Sequence, residues 1–518
     1  MISCHLLERP GKWRAVGVGA LLIGAALPAV PLLWRVATSL GSVTASLSGA
    51  FGSAIQNSLL MALLVAALSF TLGLPAGVLT ALYEFPGRKV LLALATLPLL
   101  VPSFLWAIGF SSLAVRLGPD ATHAVSGFSG CLLVFTVGAV PLVLLTSYAA
   151  SGALSGSQVD AARLSGGERS VVLCASRHAA TPALLAAGLG AVFMLSDPGP
   201  GQILGLRTAA SEILTSFSAL YDFTLAGQQC AILTALVLVF AAPLAYFAAP
   251  RIASEMMARQ IRRVVRLEHA MIAVITSAAL AVFVVVGVIM PIAGLTWPVV
   301  NGGEFSRALS ELVRTGGNTV IYAVGAGATS ASLGLLLAFC VGRNDRLRRV
   351  CIGVSLALFS LPPMFGALGI VEIAADAPAW TDPVLRSRLT VSLALGLRFF
   401  PVAVVLALRA WGSTSASWAL AGSIHGVTLG RYLRRVALPL MLPAGATAML
   451  LVALLATADV GTVLLLHPPG EASLPLAIFT VMANAPESLV ASLCLVYVIA
   501  AAGLLTVIWT LPRRRKAS

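Results

Sequence analysis

Two aspartates stand in apolar, glycine-containing stretches of the chain, where an ionised side chain is costly. Asp197 follows a long apolar run in the stretch Leu-Ser-Asp-Pro-Gly, and Asp459 follows another in Thr-Ala-Asp-Val-Gly. An ionisable group at membrane depth is unfavourable unless it faces water or a partner, so such residues favour a binding role. We expect both carboxylates to attract a cation or a metal-associated molecule. The alternatives are a carboxylate at a helix end in the outer interface, or one that pairs with an arginine.

Arg398, in Leu-Gly-Leu-Arg-Phe-Phe-Pro, is the one cation inside an apolar run. We expect it to snorkel or to cap a broken helix near Pro401, with pairing to a carboxylate as the alternative. The six histidines and seven cysteines show no metal-ligand spacing, and no nucleophile or metalloprotease motif occurs. The sequence therefore predicts no metal site, no cofactor and no intrinsic catalysis.

The elements that must position these residues are long apolar segments. Of the 518 residues, 59% are hydrophobic and 10% are charged, against roughly 25% charged in a soluble domain. Apolar runs of 20 to 28 residues are long enough to cross a hydrocarbon core of about 30 Å as helices. We therefore expect an all-α polytopic membrane protein. Its twelve predicted spans are about 15–36, 57–83, 89–114, 129–150, 182–204, 226–249, 269–296, 317–342, 350–371, 389–411, 441–466 and 486–511.

The net charge of +14 is distributed unevenly between the loops of this topology. If the N-terminus is cytoplasmic, 25 of the 33 lysines and arginines fall on the inner side, including the terminal run Arg513–Lys516, and seven fall outside. This bias is what the positive-inside rule requires, so we expect both termini to be cytoplasmic. This distribution explains the positive charge without a nucleic-acid partner. The basic inner surface can instead face the lipid bilayer or a docking subunit.

The chain carries an internal repeat. Asn57 aligns with Asn318 at an offset of 261 residues, and Gly166 aligns with Gly426 at 260, as do Pro141 and Pro401. Six spans separate the copies, an even number, so the two repeats run parallel and are related by a pseudo-twofold axis along the membrane normal. The predicted division is a first repeat, 1–250, a basic cytoplasmic linker, 251–268, and a second repeat, 269–518.

In each repeat a long cytoplasmic loop joins the fourth and fifth spans. The loops cover about 155–181 and 412–440, and each has a helix-forming stretch, a glycine, an amphipathic basic stretch and then a proline. This pattern predicts two short helices at an angle on the membrane surface, able to dock into a cleft of a soluble partner. The alternative is a pair of surface helices that serve only as connectors.

These loops resemble the cytoplasmic signature of ABC importer permeases, in which Glu-Ala-Ala and a glycine are followed by a Leu-Pro pair. The first loop departs from it at His178-Ala179, where Leu-Pro is expected, and the second departs at Leu420, where the acidic residue is expected. The residues that the resemblance assigns to coupling with an ATPase are Asp160, Ala161, Ala162, Arg163 and Gly166 in the first loop, and Gly426, Arg431, Leu438 and Pro439 in the second.

Two further stretches, Asp459–Thr462 and Pro468–Glu471, are similar to fused double permeases of the iron(III) and thiamine importers. The resemblance implies a type I importer in the bacterial inner membrane, with a periplasmic solute-binding protein outside and, on the inner side, two ATP-binding subunits. Asp197 and Asp459 would then line the substrate pathway. The three lysines, Lys12, Lys89 and Lys516, are not followed by Ser or Thr, so the chain has no Walker A loop and ATP hydrolysis is expected in separate subunits.

Other functions remain open at this point. A secondary transporter driven by an ion gradient also has two six-span halves, and Val341–Val350 resembles its Gly-x-x-x-Asp-Arg loop, although the Gly-to-Asp spacing is three rather than four. A membrane enzyme or an assembly scaffold is a second alternative. The substrate itself is not disclosed; iron(III) or a thiamine-like cation is the first expectation, with a polyamine or a phosphonate as alternatives.

Overall fold

The computed structural model describes residues 12–32, 34, 49–257 and 267–510. Within these ranges the chain is almost entirely helical and contains no β-strand, apart from one isolated bridge between Tyr83 and Leu267. The all-α prediction is therefore confirmed. Half of the predicted basic linker, 258–266, and the terminal run Arg513–Lys516 lie outside the described residues.

The helices are numbered along the chain. Those of the N-terminal half, up to Met257, are α1 Lys12–Ala26, α2 Ala50–Leu82, α3 Arg88–Leu100, α4 Ser103–Leu117, α5 Pro119–Val125, α6 Gly127–Ser151, α7 Gly156–Leu195, α8 Gly199–Leu204, α9 Ala209–Ser218 and α10 Phe223–Met257. Those of the C-terminal half, from Leu267, are α11 Ala270–Val284, α12 Met290–Gly302, α13 Phe305–Val341, α14 Asp345–Phe359, α15 Pro363–Asp376, α16 Asp382–Leu385, α17 Arg388–Ser413, α18 Ala416–Ile424, α19 Leu429–Tyr432, α20 Leu438–Thr457, α21 Val460–Leu466, α22 Leu474–Val481 and α23 Glu487–Thr510.

Many of these helices are long and apolar enough to cross a membrane. In the described part of the chain nine meet that test, or up to eleven if each of two bent helix pairs is one span, and α23 contributes a shorter apolar helix. Large apolar side chains such as Leu63, Phe247 and Val282 are exposed on their outer surfaces, as lipid-facing residues are. The structure thus supports a multi-pass membrane protein.

Two of the predicted spans are broken rather than straight. The helix pair α3 and α4 bends by 103° and the pair α14 and α15 by 86°, at Pro102 and Pro362 respectively. A proline lacks the N–H that a continuing helix needs, and it forces the preceding residue out of the helical region. The predicted spans 89–114 and 350–371 each correspond to such a bent pair, and each break leaves the start of a new helix inside the bundle.

Each half has a tightly packed trio of helices, α2 with α6 and α7, and α13 with α17 and α20. Small residues bring the backbones together: a Cβ added at Gly73 would lie 2.7 Å from Val143, and one added at Gly334 would lie 2.7 Å from Ala403. Close approach at glycine gives helices in lipid the packing contact that holds them together.

The first helices of each half pack across onto the other half. α1 lies against α13 and α14, whereas α11 and α12 lie against α3 and α4. Both crossings seat a proline on a glycine. A Cβ added at Gly369 would lie 1.7 Å from the carbonyl oxygen of Pro28, and one at Gly109 would lie 2.6 Å from that of Pro291. The two halves are therefore interlocked, and the space between them is the centre of the molecule.

Candidate functional site

A cavity of about 230 Å³ lies between the two halves. It is lined by the segments where helices break: residues within 98–104 and 193–199 from the N-terminal half, and residues within 359–364 and 455–461 from the C-terminal half. Each segment of one half is thus matched by a segment about 260 positions later. Both sequence-predicted pathway residues, Asp197 and Asp459, lie on its wall.

Asp197 lies in the turn between α7 and α8, and its side chain is partly exposed to the cavity. The Ser103 hydroxyl donates a hydrogen bond to its Oδ2, and the Gly199 N–H donates one to its Oδ1 at 2.9 Å. No arginine, lysine or histidine of the described residues forms an ion pair with it. Asp197 is therefore a carboxylate that is held in place by neutral donors and has no ion-pair contact within the described residues.

Asp459 lies at the equivalent break between α20 and α21, but it is compensated. Its carboxylate caps α21 by accepting hydrogen bonds from the Thr462 N–H at 2.9 Å and the Thr462 hydroxyl at 3.0 Å. Its Oδ2 also lies 2.7 Å from Nε of Arg398, and the two side chains are only 1% and 19% exposed. The expectation that Arg398 snorkels or caps near Pro401 is wrong, and the alternative of pairing with a carboxylate is correct. Its Nη1 also reaches the carbonyl oxygen of Leu361 at 3.4 Å.

The two halves differ at the positions that face these aspartates. At the offset of 260 that relates Pro141 to Pro401, the residue that matches Arg398 is Gly138. Gly138 also lines the cavity, and open space surrounds it. The lining therefore carries two carboxylates and one guanidinium, a formal charge of −1. The repeat alignment could have revealed this asymmetry, although it could not place Arg398 beside Asp459.

Aromatic rings complete the cavity wall, and the sequence pattern did not predict these rings as part of the site. The lining includes five phenylalanines: Phe104, Phe193, Phe359, Phe399 and Phe479. Phe104 and Phe479 stack edge to face with centroids 5.6 Å apart, and Phe193 and Phe359 do so at 4.8 Å. Such rings attract cations over their faces. The available signal was that Phe104 and Phe399 lie next to residues already of interest.

At the end of the bundle that the sequence predicts to lie outside, α2 holds the loop before α9 through two adjacent polar residues. The Asn57 side-chain amide donates to the carbonyl oxygen of Arg207 at 3.1 Å, and Ser58 Oγ accepts from the Ala209 N–H at 2.9 Å. These bonds give Asn57, which the repeat alignment singled out, a defined role. They tie the start of a span to the loop beyond the cavity.

The same arrangement recurs where α13 meets the loop before α22. Asn318 donates to the carbonyl oxygen of Ala472 at 3.4 Å, and Thr319 Oγ1 accepts from the Leu474 N–H at 2.8 Å. In this half the loop is held further by an ion pair of 2.7 Å between Arg388 and Glu471. The hydrogen bond from Arg388 holds the pKa of Glu471 below its ordinary value.

At the end of the bundle that the sequence predicts to be cytoplasmic, the first of the predicted coupling loops is a kinked helix. Asp160, Ala161 and Arg163 are exposed and Ala162 half-buried, all on the part of α7 before the kink. The predicted Gly166, also exposed, has extended φ, and the following Gly167 carries the strained conformation with φ +63° and ψ −155°. The part after Gly167 is not a separate short helix as expected, because it continues without a break to Leu195 and enters the membrane.

Around this kink, Glu168 pairs with Arg163 and accepts a hydrogen bond from the Tyr83 hydroxyl at 2.5 Å. Tyr83 directly follows α2. The kink is therefore held against the inner end of a membrane-spanning helix of its own half.

The second coupling loop follows the same plan. The short helix α18 ends before Gly426, which has φ +66°, and helix resumes at Leu429 and runs through to Thr457. The predicted residues Gly426, Arg431, Leu438 and Pro439 are all exposed. Arg343, just beyond α13, donates to the Thr414 carbonyl oxygen at 2.5 Å, so this loop too is tied to a span of its own half.

Both coupling loops expose a large apolar side chain immediately before the break. Leu164 is 90% exposed and Ile424 is 83% exposed, and they are separated by the repeat offset of 260. The second loop also exposes Trp418 at 43% and Leu420 at 41%, and an apolar patch exposed on a surface is a candidate contact site.

Comparison of the chain with protein-family models, with curated proteins and with solved structures finds no match.

Proposed function

We propose that this chain is the membrane-spanning permease of a binding-protein-dependent ABC importer, with two parallel six-span repeats fused in one polypeptide. The pathway passes through the cavity between the halves, and the substrate is a small cationic solute. Two separate ATP-binding subunits drive the cycle from the cytoplasmic side of the inner membrane. A periplasmic solute-binding protein delivers the substrate outside.

The observation that carries the proposal is the central cavity with its matched walls. The first residues of α4 and α15 and the aspartates after α7 and α20 all line it, so helix breaks from both halves meet at one place. Transporters with internal repeats form their substrate sites from discontinuous helices at the repeat interface. A purely structural membrane scaffold has no need of a charged cavity at that position.

The coupling loops offer a mechanical connection to this cavity. In α7 the segment Glu168–Leu195 has 28 residues, which at 1.5 Å per residue is about 42 Å of rigid helix, and Asp197 follows two residues later. In the other half the helix from Leu429 to Thr457 leads in the same way to Asp459. A tilt imposed at Gly167 or Gly426 would therefore move the aspartates, which is the motion that alternating access requires.

The apolar residues Leu164 and Ile424 are the best candidates to bind the ATP-binding subunits. Each lies at the tip of a predicted coupling loop and is almost fully exposed. Burying a leucine-sized side chain contributes about 1.5–3 kcal/mol, so two matched tips can hold two subunits symmetrically.

Reconstituted vesicles test the proposal. The purified chain, with the ATPase subunit encoded beside it, should take up the solute captured by the neighbouring binding protein only when ATP is supplied. The double variant Leu164→Asp with Ile424→Asp should lose the ATPase subunit on a sizing column. Trp380→Asp, which alters a residue 80% exposed in an outer loop, should retain it. Uptake that runs on a proton or sodium gradient without the ATPase would instead identify a secondary transporter.

A further inference from the structure

Resting on the proposed transport function, we propose that the central cavity admits an organic cation with a single positive charge, held by Asp197 and the phenylalanine rings, and that it excludes metal ions. The inference concerns the site itself. It narrows the substrate from any cation to organic cations with one positive charge. It also assigns a role to Arg398, whose ion pair with Asp459 leaves Asp197 as the carboxylate that binds the substrate.

The charge of the cavity favours one positive charge. Its charged lining consists of Asp197, Asp459 and Arg398, and the 2.7 Å pair between the last two is internal to the protein. One carboxylate is left. A substrate with one positive charge makes the cavity neutral, whereas a dication or trication leaves an uncompensated charge between the packed helices, where such charges are costly.

The geometry around Asp197 favours a ligand that is attracted by the charge of the carboxylate and does not need to coordinate its oxygens. Ser103 and the Gly199 N–H occupy Oδ2 and Oδ1, so each oxygen has already used part of its capacity to accept. A diffuse organic cation needs only the charge at a distance of a few ångströms. A metal ion needs several oxygen, nitrogen or sulfur donors within bonding distance, and in the described ranges no three acidic, histidine or cysteine side chains are grouped to supply them.

The aromatic wall supplies what an organic cation needs in place of water. Arg398 lies over the Phe399 ring at 5.3 Å, so that ring already serves an internal cation. Phe104, Phe193, Phe359 and Phe479 remain to surround a ligand. Cation–π attraction is strongest for weakly hydrated ions such as substituted ammonium groups, and a strongly hydrated metal ion gains little from phenyl rings.

Binding to the purified, detergent-solubilised chain tests the site independently of transport. The probes are choline, trimethylphenylammonium and tetraethylammonium, the neutral choline isostere 3,3-dimethylbutan-1-ol, and the ions Mn²⁺ and Fe³⁺, each titrated by calorimetry. We expect at least one quaternary ammonium ion to bind and the neutral isostere and both metal ions not to bind. Phe359→Leu should weaken binding about two- to thirtyfold, whereas Phe217→Leu, a matched change outside the cavity lining, should not.

Charge variants test the assignment of the carboxylates. Asp197→Asn should weaken binding about tenfold or more. Gly138→Arg places a guanidinium in open space at the position that matches Arg398, and it should also abolish binding, whereas Gly138→Met, of similar reach without charge, should retain more of it. The double variant Arg398→Gln with Asp459→Asn keeps the formal charge of −1, and it should lose less affinity than Asp197→Asn does.

The outcomes separate this inference from the proposed function. If none of the three ammonium ions binds, if Mn²⁺ or Fe³⁺ binds, or if Phe359→Leu has no effect, the inference is overturned, while ATP-driven uptake of another solute can still be measured. If an ammonium ion binds with the expected variant pattern but ATP drives no uptake in vesicles, the site is as inferred and the importer function is wrong.

Discussion

Replacing Arg398 by methionine should destabilise the protein strongly, and most of the loss should be recovered by a second substitution at Asp459. Arg398→Met leaves the Asp459 carboxylate, 1% exposed, without its counter-charge inside the bundle. Breaking a buried pair in this way costs about 3–5 kcal/mol, because the remaining charge is uncompensated. The cost arises from the residue left behind and not from the one removed.

The single variant Asp459→Asn and the double variant complete a double-mutant cycle, and their stabilities follow from the same contacts. Asp459→Asn keeps the cap on α21, since asparagine is also a good N-cap residue, and it leaves Arg398, 19% exposed, able to reach water in the cavity. We expect a loss of about 1–2 kcal/mol. The double variant carries no stranded charge, and it should lie within about 1 kcal/mol of the parent chain. The coupling between the two positions is then about 3 kcal/mol or more.

Thermal melting in detergent, followed with a thiol-reactive dye, measures this order. Cys131, Cys230, Cys351 and Cys494 are fully buried, so the dye reports opening of the bundle. Arg388→Met is the matched control, because Arg388 also contacts a carboxylate at 2.7 Å but is 42% exposed, and exposed pairs contribute about 1 kcal/mol or less. One contradictory result is that Arg398→Met lowers the melting temperature no more than the control does. Another is that the losses of the two single variants simply add in the double variant. Either result would show that Arg398 and Asp459 do not compensate each other's charge.

Three further predictions concern the packing, the coupling loop and the outer loop. Gly369→Ala should lower the melting temperature through overpacking of about 1–3 kcal/mol, whereas Gly366→Ala, in the same helix with nothing within 4 Å, should not; equal melting of the two would contradict the crossed packing. Gly167→Ala should cost about 1–3 kcal/mol of stability, because the conformation at this position is open to glycine alone. It should also reduce ATP-driven uptake while ligand binding to the cavity persists. Unchanged uptake would mean that the kink does not transmit motion to the cavity. The Glu471–Arg388 pair should stabilise the chain at pH values above the ordinary pKa of a glutamate and lose this contribution as the pH falls through the lowered pKa of Glu471. The difference in melting temperature between the parent chain and Arg388→Gln should therefore disappear only on acidification. A difference that persists at low pH would show another cause.

The membrane spans and the paired positions could be predicted from the sequence, because both depend on patterns along the chain. Apolar runs report burial in lipid directly. The helix breaks could not be predicted in the same way, since proline also occurs inside helices that stay intact, such as Pro75 in α2 and Pro141 in α6. What distinguishes Pro102 and Pro362 is the space beyond them, which neighbouring helices create and which no local pattern encodes.

The cavity charge illustrates the same limit. Asp197, Asp459 and Arg398 were each identifiable as costly residues in apolar runs, but a sequence contains no distance between positions 398 and 459. Only the fold decides whether a guanidinium in one span and a carboxylate at the end of another meet, and here α17 and α21 pack together. Snorkelling was the wrong choice between the two alternatives for Arg398, because the fold places the Asp459 carboxylate within 2.7 Å of its guanidinium.

The pseudo-symmetry of the chain makes the asymmetry of its cavity informative. The scaffold is matched in detail, from the seating of Pro28 and Pro291 on glycines to the Asn57 and Asn318 contacts, so a difference between the halves is a difference in the site and not in the frame. A fully symmetric cavity would carry either two free carboxylates or two ion pairs, with a formal charge of −2 or zero. Arginine in one half and Gly138 in the other gives −1 instead, with one aspartate in each half on a helix that leads to a coupling loop. If the chain transports a cation as proposed, a motion transmitted equally to both aspartates would displace a paired carboxylate on one side and an unpaired one on the other, so only Asp197 would bind and release the substrate.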